Sequence, residues 1–142
     1  MYEDLDESMR IYANSIVNDS YLRGAMSFGA KPTISITKDS SLNVGYRVRL
    51  EIKLRHNIED VLKVIQRKLL QLEIESTVKE RESSHRPRPI LIIRGIDNLD
   101  KTITFLDATW IHQFSYCLEV VKSGEHLTQS GLDEILREKE ML

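Results

Sequence analysis

The chain has 142 residues, 41% hydrophobic and 30% charged, which is enough apolar material for one compact domain over residues 1–142 and too little for two. A single cysteine, Cys117, excludes an intramolecular disulfide, and neither a cationic leader nor an apolar run of membrane-spanning length is seen, so a cytoplasmic, nucleoid-associated protein with no membrane partner is expected. The net charge of −2 hides an asymmetry: residues 46–94 hold 12 of the 20 Lys+Arg and 7 of the 22 Asp+Glu, a balance of +5 against −7 elsewhere, which places the positive field on one part of the fold.

Residues 3–17 carry Leu5, Met9, Tyr12 and Ile16 at helical spacing, with acids in the first turn, and predict an amphipathic helix. A second, brief helix is predicted from about Ser20, capped by Asp19 or Ser20 and stopped by Lys31-Pro32. Gly24, Ala25, Ser27 and Gly29 strip one side of it of bulk, which suits either its own sheet or a partner helix packed backbone to backbone. Thr33–Thr37 alternates and pairs, across the polar connection 38–45, with a strand from Tyr46 to Arg55. In that strand Val48, Leu50, Ile52 and Leu54 share the core face, while Arg47, Arg49, Glu51, Lys53 and Arg55 share the other.

Asn57 is expected to cap the next helix, with Asp60 reaching back and a stripe of Val61, Leu62, Val64, Ile65, Leu69 and Leu72 covering the sheet. A strand over 75–81 sets Thr77, Lys79 and Arg81 on one side. His85-Arg86-Pro87-Arg88-Pro89 reads as a stiff cationic tip before the core strand Ile90–Arg94. Asp97-Asn98 is expected to cap a helix carrying Leu99, Ile103 and Leu106. A longer helix over 107–122 buries Trp110, Phe114, Leu118 and Val121 and stops at Gly124. Thr128 caps a last helix, with Leu127 and Leu132 stapled over it and Leu132, Ile135 and Leu136 turned inward.

Leu22-Arg23-Gly24-Ala25-Met26-Ser27-Phe28-Gly29-Ala30, set before two strands, resembles the LAGLIDADG motif of homing endonucleases. It keeps the leading leucine, the glycine and the apolar pair, while Ser27 and Gly29 stand where that family carries acids, the second of which holds the divalent metal at the scissile phosphate. Leu-Arg-Gly-Ala is also similar to the WhiA-type bacterial sporulation regulators, which keep this fold without cleaving DNA. Ile96-Asp97-Asn98-Leu99 followed by Phe105-Leu106, and His126-Leu127-Thr128-Gln129-Ser130-Gly131-Leu132, resemble later segments of the endonucleases. The resemblance implies an α/β (α+β) fold with a curved four-stranded antiparallel sheet, helices on one side, and a homodimer seam along the motif helix. Leu22, Gly24, Ala25, Ser27 and Phe28 are the expected interface residues.

His56, His85, His112 and His126 lack metal-ligand spacing, one cysteine cannot build a zinc site, and no phosphate loop is present, so neither cofactor nor metal is expected. The expectation that follows is a duplex-DNA-binding regulator on a roughly palindromic site, not an enzyme. Its contacts are expected from Arg47, Arg49, Glu51, Lys53, Arg55, Lys79, Arg81, Arg86 and Arg88, with Glu51 accepting from cytosine or orienting Arg49. Two alternatives stay open: an endonuclease with displaced acids, Asp39 being the substitute, and a module whose basic face meets an acidic protein or RNA.

Overall fold

The computed structural model describes residues 19–142, and the helix expected over 3–17 lies outside them. Helix α1 (Asp19–Gly24) runs straight into a wide π-helical turn (Ala25–Gly29), after which Ala30 is extended. Asp19 and Ser20 are already inside the helix, so neither is its cap. Leu22, Met26 and Ala30 recur every four residues and sink into the core. The widened turn buries Ser27 beside Met26 and throws the next side chain outward, leaving Phe28 83% exposed.

Four strands follow, β1 (Lys31–Lys38), β2 (Tyr46–Arg55), β3 (Thr77–Lys79) and β4 (Ile90–Arg94), in the spatial order β1-β2-β4-β3 with every pair antiparallel. Pro32, which has no N–H to give a ladder, is tolerated because β1 is an edge strand. Ile34, Leu50, Ile52, Leu54, Leu91 and Ile93 face the core. A slip of one residue in β2 would drive Arg49, Glu51 and Lys53 into that core, so the pairing Ile34↔Leu50 and Ile52↔Ile93 is strongly fixed. β3 is shorter than the sequence predicts, and Arg81 lies beyond its end.

Helices α2 (Glu59–Gln71), α3 (Ile96–Phe105), α4 (Ile111–Lys122) and α5 (Gln129–Glu140) cover the core face of the sheet. Three expected helix starts shift. Helix α2 is preceded by Ile58, whose N–H donates to His56 Nδ1 at 2.9 Å, while Asn57 is used elsewhere. Gly95, at φ +89°, precedes α3 and no side chain caps it, so Asp97 and Asn98 fall inside the helix. Helix α4 begins at Ile111, because Asp107 spends its N–H on Ser27 Oγ at 3.2 Å and the chain turns through 108–110 first. The Thr128 cap is present, its Oγ1 accepting from the Gly131 N–H at 3.2 Å. Leu72, Leu127 and Leu136, expected to pack inward, are exposed.

Candidate nucleic-acid interface

Strand alternation and the register place Lys31, Thr33, Ser35 and Thr37 of β1 opposite Lys53, Glu51, Arg49 and Arg47 of β2, all on the face turned away from the helices. Arg94 of β4 sits across from Glu51, and Lys79 of β3 across from Ile90, on that same face. Ile90 and Ile92 also point there and are buried, flanked in the register by Lys53, Arg55, Thr77 and Lys79. The face is therefore a cationic surface with a small apolar floor.

Three acids organise its arginines. At the β1–β2 connection Asp39 accepts from the Ser41 N–H and hydroxyl and from Arg47 Nε at 2.9 Å. Those bonds, Ser41's first and then Arg47's, pull the Asp39 carboxyl from 3.8 down to about 2. In the middle of the sheet Glu51, only 4% exposed, is bonded to Arg94 Nε. At the far end Glu82 receives Arg55 in a two-pronged pair, Nε at 2.6 Å and Nη2 at 2.7 Å. Hydrogen bonding from Arg55 holds the Glu82 carboxyl below its ordinary value.

These pairs correct part of the expected site. Glu51 is committed to Arg94 inside the sheet surface, so it neither orients Arg49 nor presents a free carboxylate to a base. Arg55 is tied to Glu82. Arg88 donates through Nε and Nη2 to Asn57 Oδ1, at 3.1 and 2.6 Å, which is where the expected helix cap went. Arg49 is exposed, faces Ser35 across the ladder and has no charged partner among the described residues. Arg47, Arg81, Arg86 and Arg88 are exposed as well, and Arg86 Nη1 lies 3.8 Å from Glu82, the acid that holds Arg55, so the tip adjoins the face at that acid. Arg94 was missed because it ends a run of four apolar residues that hides strand parity. Glu82 was missed because its pairing depends on the loop's three-dimensional path.

The motif end forms a separate recess. A cavity of 190 Å³ is lined by Ser27, Phe28, Lys31, Asp107, Ala108, Thr109 and Trp110. Trp110 stands edge-on to Phe114, centroids 5.6 Å apart. Of the expected interface residues, Leu22 and Ser27 are buried in this chain's own core, which leaves Gly24, Ala25 and Phe28 on the outer side of the motif. Asp39, the proposed replacement acid, is occupied by Arg47 and Ser41, and the carboxylate beside the motif end is that of Asp107. One carboxylate next to Lys31 does not fit a divalent cation, and no three His, Cys, Asp or Glu side chains converge among the described residues.

No protein-family model and no curated protein matches the sequence. Solved structures do match. The homing endonuclease I-TnaI superposes with a TM-score of 0.64 at 21% identity, over 86% of this chain and 85% of that one. The meganuclease I-SmaMI, bound to uncleaveable DNA, gives 0.74 at 16% identity over 97% of this chain, which spans 53% of the I-SmaMI chain. The archaeal intron-encoded homing endonuclease I-Vdi141I, complexed with DNA, gives 0.70 at 17% identity over 84% of this chain and 77% of that one. The fold is that of the LAGLIDADG homing endonucleases. This corrects the expectation of a protein that is not an enzyme. The structures sharing the fold are those of homing endonucleases, so Ser27 and Gly29 by themselves do not exclude catalysis. Among the described residues no helix is long and apolar enough to cross a membrane.

Proposed function

We propose that this chain binds duplex DNA with the open face of its sheet, as a dimer on a roughly palindromic site, Arg47 and Arg49 reading bases and Arg86 and Arg88 holding phosphates. The observation that carries the reading is the arrangement of Lys31, Arg47, Arg49, Lys53 and Arg94 on one sheet face, opposite the helices. Alternate residues of a strand lie about 7 Å apart, close to the phosphate spacing along a DNA strand, so the ladder can follow the backbone while an arginine enters the major groove. Fold neighbours solved with DNA support the same reading. Gene regulation is one use of such occupancy.

Selection of bound sites from a random duplex pool tests it: a recurrent, roughly palindromic sequence is expected, and recovery of RNA or an acidic protein in preference to duplex contradicts it. A second reading, strand cleavage, is favoured by the homing endonucleases that share the fold. Site-specific cuts in the selected duplex with Mg²⁺ or Mn²⁺ present are its expected signature.

A further inference from the structure

The loop between β3 and β4 is not a free basic arm. It closes on itself through Glu82 N–H to Arg88 O at 2.9 Å and Ser83 N–H to Arg86 O at 3.1 Å, and Arg86 N–H returns to Ser83 O at 3.2 Å. Glu82 then fastens this small hairpin to the sheet. Its carboxylate holds Arg55 by two bonds and has Lys53 Nζ and Arg86 Nη1 each at 3.8 Å, while its carbonyl accepts from Lys79 Nζ at 3.1 Å. One half-buried acid thus meets four cations from β2, β3 and the tip. Asn57 secures the other end by taking Arg88.

A surface built only to attract phosphate would omit this acid, since it neutralises charge where the duplex would lie. What the acid gives instead is fixed placement. Arginines held by a carboxylate keep one geometry and reject duplexes that do not match it, whereas free arginines swing to whatever phosphate is near. We infer that Glu82 is a positioning residue, setting the stance of Lys53, Arg55 and Arg86 so that the β3–β4 hairpin contributes selectivity at the expense of non-specific affinity. The inference rests on the DNA-binding reading above and names the residue that tunes it.

The test compares wild type, Glu82→Gln and Glu82→Asp by fluorescence anisotropy against a labelled mixed-sequence duplex and against the duplex recovered by selection, over a salt series. Glu82→Gln frees cations, so its mixed-sequence binding should tighten and its salt dependence steepen by about 1 unit of log K per log salt. The preference for the selected duplex should fall about tenfold, the order of one lost base discrimination. Glu82→Asp keeps the charge and should restore most of the preference. Equal weakening on both duplexes with an unchanged slope overturns the inference, because that is what a purely structural tether would give. A measurement on the unaltered chain is independent of variant folding: the Arg55 Nε–H resonance should keep its protection when the selected duplex binds, and loss of that protection also overturns it. Absence of any duplex binding by wild type removes the DNA-binding reading itself, and this inference with it.

Discussion

Glycine at 131 shows how one atom can be decisive. A Cβ there would run into the backbone carbonyl of Glu125, since the 3₁₀ turn (Glu125–Leu127) packs directly on the start of α5. Gly131→Ala should cost about 3 kcal/mol or more, the upper range for overpacking against atoms that cannot rotate away, as read by urea unfolding. Glu73 is the opposite case. It sits at φ +62° after α2, where its N–H bonds to Leu70 O and the following Ile74 N–H bonds to Leu69 O, both at 2.9 Å, closing the helix in a Schellman arrangement. Glycine takes that conformation without strain, so Glu73→Gly should raise stability by about 0.5–1 kcal/mol after its greater unfolded-state entropy is deducted. Asp39 carries a pH signature. Its folded value of about 2 lies below the ordinary 3.8, so its stabilising bonds are complete above 3.8 and are lost as pH falls through about 2. A carboxyl-carbon NMR titration of Asp39 should therefore have its midpoint near 2, not near 4.

At the scale of elements, the motif segment divides its residues between two tasks. Leu22, Met26, Ser27 and Ala30 serve this chain's core, while a Cβ added at Gly24 would meet no heavy atom within 4 Å and Phe28 projects outward. Gly24→Leu should accordingly not lower the thermal midpoint of the single chain, since the position is helical, while shifting a dimer toward monomer in sedimentation. A wild-type chain that is monomeric at micromolar concentration would remove the dimer from the proposal. Strand β2 was fully legible in the sequence because its period-2 pattern admits one reading. Helix starts were less so: the Thr128 cap was readable, and Asn57, Asp97 and Asp107 are good capping residues too, yet Asn57 is drawn off by Arg88, Gly95 opens α3 earlier, and the Asp107 N–H bonds to Ser27 eighty residues away. Each of those outcomes is decided by a tertiary contact that no local window contains. The same holds for the site, where the cationic face was evident from alternation but its pairing with Asp39, Glu51 and Glu82 was not.

For the whole molecule, the central claim is that the sheet face opposite the helices meets duplex DNA. The paired arginines make this claim sharper than a count of charges would. Arg49 is exposed without a charged partner among the described residues, and Arg47 is exposed although Asp39 holds it, so these two should carry readout. Arg94 is exposed too, but its Nε is held by buried Glu51. Strand geometry fixes Arg47 and Arg49 relative to each other, which is what base discrimination requires and simple phosphate attraction does not. The most direct test is the affinity of wild type and of a folded Arg47→Ala/Arg49→Ala variant for the selected duplex and for a mixed-sequence duplex at one salt concentration. The account predicts a loss of about 2–6 kcal/mol on the selected duplex, from two base contacts at about 1–3 kcal/mol each, with a much smaller loss on mixed sequence. Unchanged affinity for both duplexes would contradict it and leave this face merely solvated.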